Sequence, residues 1–348
     1  MEPSSITSER LSKDEIDLYD RQIRLWGMAA QARMRSAKVL LIGLGSLGTE
    51  ICKNVVLSGL GHLTILDDTL VQEEDLGSQF FISGGDVDSL KLDSAQSRIQ
   101  DLNPRVELSF DTQSMESKTS DFYKGFDLVI GTELSTKQMT MLNELTRKYN
   151  IPIYLAGSNG LFAYIFVDLI QFDAEDEKLK GSQPTEKGQI STNTEVIEVR
   201  TRHDEDDDKK VFEVIKTRHY YKSFQQMIKT ASLKGRLNRR QTKRLSSVLP
   251  LTLALLQTED EIGKLNSRKL KEKAVVTCLQ LGIPETVLDD TYVEQFTRQE
   301  GVQFAPVSAV IGGSIAQDVI NILGKRQPPL NNFIVFDGIT LDMPIFEF

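Results

Sequence analysis

A short apolar run, Val39 to Ile42, passes straight into Gly43-Leu44-Gly45-Ser46-Leu47-Gly48, and no other stretch restricts the fold of this chain so strongly. The run is long enough for a buried parallel strand, and the glycines follow it in the order G-x-G-x-x-G. Leu47, Ile51, Val55 and Val56 then recur at helical spacing, and Leu63 to Leu66 form a second apolar run that ends on Asp67. Strand, helix and strand in this order make one βαβ unit. Its glycines have separate tasks: Gly43 for a tight turn, Gly45 for close approach of the backbone to phosphate, Gly48 for packing of helix on strand. An alanine at Gly45 is expected to strain the turn. The helix N-terminus offers free N–H groups to an anion, and Asp67 lies roughly 20 residues past the first glycine, where a ribose-binding acid is expected. Alone, the pattern means a nucleotide-type fold whose pocket is either used or vestigial.

Beyond this unit, Leu92 to Leu102 reads as a helix, Val106 to Phe110 as a strand, Phe126 to Gly131 as a strand, and Lys137 to Tyr149 as a helix. Ile153 to Ala156 and Leu161 to Ile170 read as further strands. Alternation of this kind favours an α/β class, a doubly wound, mostly parallel Rossmann-like sheet with helices on both faces. It stops after about Phe172. Residues 173–210 are polar, with five consecutive acids at 204–208, and read as a solvated loop. Residues 211–300 read as mainly helical, so an inserted helical domain is expected at 173–300. An apolar helix at 305–323 and two strands, Phe333 to Phe336 and Asp342 to Phe346, close the chain. Residues 1–13 are polar and expected to be disordered. Ile16, Tyr19, Ile23, Trp26 and Ala30 form a helical stripe bent near Gly27, with Arg21 and Arg24 on a face away from it.

The chain has 348 residues, a net charge of −9 and a pI near 5.1, which disfavour a general affinity for nucleic acid or anionic membrane. No apolar run is expected to reach the roughly 20 residues of a membrane span, and the polar N-terminus lacks the core of a secretory signal, so an intracellular protein is expected. Two cysteines, Cys52 and Cys278, and three scattered histidines give neither a disulfide framework nor a metal site. Both cysteines sit in apolar contexts and read as core residues. Six basic residues in 234–244 are open to three readings: a nuclear-import signal, a patch for an acidic partner, or a charged helix face.

Tyr19-Asp20-Arg21-Gln22-Ile23-Arg24-Leu25-Trp26-Gly27, followed by KVLLIGLGSLGTEICKNVVLSG and LTILDD, resembles the ubiquitin-activating enzymes and their bacterial sulfur-carrier adenylyltransferase relatives. The similarity spans residues 14–172 and resumes at Val302. Within that family it is greatest to the smaller, regulatory subunits of heterodimeric SUMO-activating enzymes. The resemblance implies an adenylation-type domain in two segments, 14–172 and 301–348, interrupted at 173–300 by half of a catalytic-cysteine region that lacks the P-x-C-T cysteine. It places the ribose-binding acid on Asp67 and the phosphate-site glutamine and lysine on Gln79 and Lys91, around Gly43, Gly45 and Gly48. The asparagine and arginine that clamp phosphate fall on Asp75 and Ser78, and the magnesium-binding aspartate has only Glu133 near its place. A carboxylate beside triphosphate adds repulsion, and serine cannot replace a guanidinium fork, so a degenerate pocket is expected. The resemblance further implies that ATP and magnesium bind mainly in a catalytic partner subunit and that SUMO is the substrate. A conjugating enzyme takes part indirectly, and the location is the nucleus or also the cytoplasm. Arg21 is implied to reach the partner's ATP phosphates in trans. Rival readings are a regulatory subunit for the NEDD8 modifier, a homodimeric sulfur-carrier adenylyltransferase and a nicotinamide-dependent dehydrogenase.

Overall fold

The structure is a computed structural model that describes residues 11–181, 183–204, 210–258, 266–325 and 327–348. Among the described residues twelve strands are seen: β1 Lys38–Ile42, β2 His62–Leu66, β3 Glu107–Asp111, β4 Leu128–Thr132, β5 Ile153–Asn159, β6 Phe162–Asp168, β7 Gln171–Leu179, β8 Gly188–Gln189, β9 Thr194–His203, β10 Val211–Tyr220, β11 Phe333–Asp337 and β12 Ile345–Phe346. Eight of them form one sheet in the order β12-β11-β6-β5-β4-β1-β2-β3. The β3-β2-β1-β4-β5 half is parallel throughout, while β6, β11 and β12 are antiparallel to their neighbours. This is the expected doubly wound sheet. The strand order reverses between β1 and β4, and a crevice opens at their carboxyl ends, as such topology requires.

Side chains alternate across a strand, so β1 supplies both layers of core. Val39 and Leu41 meet Leu47, Ile51 and Val55 of the helix Ser46–Leu57 and Ile311, Ile315 and Val319 of the helix Ala305–Gly324. Leu40 and Ile42 face the opposite layer, with Met139 and Leu142 of the helix Thr136–Lys148. Phe224, Leu251, Leu253, Leu270 and Phe296 belong to that same layer. The helices of 224–298 therefore share the core of the Rossmann-like sheet on one face, and do not bury a core of their own.

Two expectations are corrected. The stretch 173–210 is not one solvated loop, and 211–220 is not helical: β7, β10, β9 and β8 pair as a four-stranded antiparallel sheet. Charge density hides these strands in the sequence, because their outer faces carry cross-strand ion pairs. Arg218 meets Asp173 at 2.7 Å, Arg200 meets Glu175 at 2.9 Å and Arg202 meets Glu177 at 2.6 Å. Arg218 and Asp173 face each other across the β10–β7 pair, while Arg200 and Arg202 of β9 reach over β10 to Glu175 and Glu177 of β7, and such opposite charges stabilise the sheet that a loop reading denies. Most of the acidic run, 205–208, lies outside the described residues. The second correction concerns Ala305–Gly324, whose 20 residues include a window of mean hydropathy 1.4, long and apolar enough to cross a membrane. In the fold this helix packs against Ser46–Leu57, and Asp318 on it accepts a 2.6 Å bond from the buried Tyr154 hydroxyl.

The N-terminal stripe forms three helical pieces, Lys13–Leu18, Asp20–Trp26 and Met28–Ser36, with Gly27 at φ 84° between the last two. Residues 1–10 lie outside the described residues, and Ser12 and Lys13, expected to be disordered, are the cap and first residue of a helix. Ser12 caps the first piece, accepting from the Glu15 amide at 3.2 Å while its own amide donates to Glu15 Oε2 at 2.9 Å. Trp26 Nε1 donates to Gln31 Oε1 at 2.8 Å, Gln31 Nε2 to the Ser58 carbonyl at 3.0 Å, and Asn103 Nδ2 to the Tyr19 hydroxyl at 2.9 Å. These bonds hold Asp20–Trp26 in one orientation on the sheet domain.

Arg35 Nε donates to Glu15 Oε1 at 2.7 Å, and chiefly this bond holds the Glu15 carboxyl down at about 2, below its usual 4.5. A depressed folded value stabilises the native state above the unfolded pKa, and the contribution fades as pH falls through the folded one. Glu15→Gln is thus expected to lower the melting temperature at pH 7, with the gap to wild type closing between pH 4.5 and 2. A gap that persists at pH 2 would show that charge is not its source.

Candidate functional site

The crevice at the end of β1 and β4 is a cavity of about 240 Å³. Gly43 turns the chain at φ 90°, a left-handed value that suits glycine, and its amide donates to the Leu66 carbonyl at 2.9 Å. Thr132 at the end of β4 donates its hydroxyl to the Gly43 carbonyl at 2.9 Å, closing the loop from the other side. Asp67 Oδ2 accepts from the Leu44 amide at 2.5 Å, and Oδ1 accepts from the Thr69 amide and hydroxyl at 2.8 and 2.6 Å. Of the residues expected around one site, Gly43, Gly45, Asp67 and Lys91 line this cavity, whereas Gly48 packs behind the Gly43 carbonyl and Gln79 stands outside the lining.

Gly45 has φ −74°, so the turn demands no glycine there. A Cβ at this position would meet only the side chain of Gln303, at 3.0 Å, which corrects the expectation of a strained turn. Gln303 is the residue that local spacing could not find. It comes from the segment before the helix Ala305–Gly324, and its Oε1 accepts from the Ser46 amide at 2.6 Å. That amide opens the helix Ser46–Leu57, where a phosphate oxygen would otherwise accept.

Asp75 and Lys91 are both buried, and Asp75 Oδ2 lies 3.1 Å from Lys91 Nζ. Gln79 Nε2 donates to Asp75 Oδ1 at 2.8 Å. One carboxylate thus engages both of the side chains assigned to phosphate. Ser78 is buried, and its carbonyl accepts from the Ser46 hydroxyl at 2.9 Å. Glu133 accepts from the Ser158 amide at 3.1 Å and from its hydroxyl at 2.6 Å. Asp67, Asp68, Glu116 and Glu133 line the cavity, against Lys91 as its one basic lining residue. A polyphosphate in this cavity would face these carboxylates together with a lysine already engaged by Asp75, which adds like-charge repulsion to its entry.

Arg21 is absent from this cavity. It stands exposed on Asp20–Trp26 and has no hydrogen-bond or ion-pair partner among the described residues, whereas Arg24 pairs with Asp20 at 2.9 Å. Leu18, Leu25 and Met28 are exposed beside it, at 55, 74 and 45%.

Both cysteines are buried in the two core layers. Burial pushes the Cys52 thiol far above its ordinary value and the Cys278 thiol up to about 11, so neither carries appreciable thiolate near neutral pH. Among the described residues no three His, Cys, Asp or Glu side chains gather as a metal site.

A model of the ThiF family matches residues 19–348. The human protein "SUMO-activating enzyme subunit 1" is 33% identical over 335 residues, 94% of each chain. This chain belongs to the ThiF family and, within it, to the SUMO-activating enzyme subunit 1 group. The Saccharomyces cerevisiae "DNA damage tolerance protein RHC31" is 59% identical over 342 residues, 98% of this chain and 99% of that protein. Among solved structures, E. coli MccB with succinimide superposes on 95% of this chain and 71% of its own, with a TM-score of 0.54 and 15% identity, a likeness of ThiF fold alone. The nicotinamide-dependent dehydrogenase reading is thereby set aside.

Proposed function

We propose that this ThiF-family chain is the non-catalytic subunit of a heterodimer that activates SUMO, and that its own nucleotide cleft is degenerate. The observation that carries this reading is Asp75, buried where a neutral amide would serve phosphate and bonded to both Lys91 and Gln79. Gln303 on the Ser46 amide and the four carboxylates of the cavity support it. In the complex, the partner subunit binds ATP and magnesium. The SUMO carboxylate attacks the α-phosphorus, the bond to the bridging oxygen breaks and pyrophosphate leaves. The partner's thiolate then attacks the acyl carbon and AMP departs, leaving a thioester for the conjugating enzyme. In this reading the chain contributes an assembly surface, to which exposed Leu18, Leu25 and Met28 are suited, and the exposed Arg21, which enters the partner's ATP site. Action in the nucleus, with a cytoplasmic pool, belongs to the same reading.

The pure chain is expected to show no ATP–pyrophosphate exchange with SUMO, and exchange is expected to appear when the catalytic subunit is added. Exchange by the chain alone would refute the reading. Cys278→Ala and Cys52→Ala are each expected to lower stability by about 1 kcal/mol or more and to leave thioester formation by the reconstituted complex intact. If Cys278→Ala abolished the thioester while adenylate formation and folding stayed normal, a catalytic cysteine would have to be restored to this chain.

A further inference from the structure

The six basic residues of 234–244 have no part in the cleft, yet the fold sets two of them, Arg236 and Arg244, beside an open sheet edge. β12 is the terminal strand of the large sheet. The carbonyls of Pro344 and Phe346 turn inward to the amides of Val335 and Asn332, so those of Ile345 and Glu347 turn outward. Arg236 Nη1 holds the Glu347 carbonyl at 2.5 Å, while the outward groups of Ile345 have no partner among the described residues. Next to this edge lies a groove of about 820 Å³, floored by Leu237, Leu245, Met343, Ile345 and Phe346 and reached by Arg244; Asp342 and Glu347 also line it, Glu347 at 4.0 Å from Arg236. Ile345 is 52% exposed. Asn331 also lines the groove, and its buried Oδ1 has no hydrogen-bond donor. Arg240 and Arg244 stand one turn apart on the helix Arg239–Arg244, with Lys243 beside them. All three are exposed and have no ion-pair partner among the described residues.

We infer that this groove docks an extended acidic segment of another protein, its alternate apolar residues seated on Leu245, Met343 and Ile345 and its carboxylates on Arg240, Lys243 and Arg244. The main chain of such a segment finds the unpaired edge at Ile345, the mode by which extended peptides add to a sheet. Of the three readings of the basic segment, the apolar floor selects the acidic partner, since a purely electrostatic import contact has no use for it. Nucleic acid is disfavoured for the same reason, since a phosphate backbone gains nothing from an apolar floor.

The test uses the full chain and a fluorescent peptide that alternates glutamate with valine, read by anisotropy. Binding is expected to weaken about tenfold when Arg240→Glu, Lys243→Glu and Arg244→Glu are combined, at a typical surface-pair energy for each charge. Ile345→Asp and a peptide with glutamine for glutamate are expected to weaken binding as much, with melting temperatures of both protein variants unchanged. Absence of binding, or wild-type affinity in the triple variant, overturns the proposal. So does displacement of the peptide by polyglutamate or duplex DNA at equal charge concentration, since the patch would then be a polyanion face without an apolar groove.

Discussion

Arg21→Ala in the reconstituted heterodimer is expected to slow ATP–pyrophosphate exchange about a hundredfold, the usual loss for one electrostatic donor aimed at developing negative charge. The helix Asp20–Trp26 is fixed by bonds that do not involve this side chain, through Tyr19, Trp26 and Gln31. Folding and assembly are therefore expected to be unaffected, which size-exclusion chromatography checks. Arg21→Lys should recover part of the rate, because charge returns without the planar fork. Arg24→Ala serves as the control: Arg24 already pairs with Asp20 on the same helix, so its loss should leave exchange near wild type. If the assembled Arg21→Ala complex exchanges at the wild-type rate, Arg21 is a solvated helix residue and the contribution in trans is wrong.

Gly48→Ala is expected to cost about 3 kcal/mol of stability, a large share of a typical native margin. Its Cβ would sit 2.0 Å from the Gly43 carbonyl oxygen and 3.0 Å from the carbonyl carbon, both backbone atoms. Gly43 cannot withdraw cheaply, since the Leu66 carbonyl holds its amide and the Thr132 hydroxyl its carbonyl. Gly45→Ala, facing only a flexible glutamine side chain, is expected to cost about 1 kcal/mol or less, and Gly77→Ala, with open space around it, still less. Urea unfolding of the three variants checks the order. A Gly48→Ala protein within 1 kcal/mol of wild type would mean that helix and strand do not pack as closely as the structure has them.

The sequence alone determined the βαβ unit, the separate tasks of Gly43 and Gly48, the parallel half of the sheet and the burial of Cys52 and Cys278. Those features follow from local period and residue type: apolar runs at strand or helix spacing, and glycine where no Cβ has room. Asp75 and Ser78 were singled out by the resemblance to the ubiquitin-activating enzymes, as the positions where that family's phosphate-clamping asparagine and arginine would stand. Tertiary structure decided the rest. That Asp75 reaches both Lys91 and Gln79, and that Gln303 reaches the Ser46 amide across more than two hundred residues, are contacts between distant segments on which no periodicity bears. The strands of 171–220 were hidden for a related reason. Their charged residues read as solvated until Arg218 is seen facing Asp173 across the β10–β7 pair, and Arg200 and Arg202 reaching over β10 to Glu175 and Glu177; the alignment of strands in a sheet is a property of register, which a single segment does not carry.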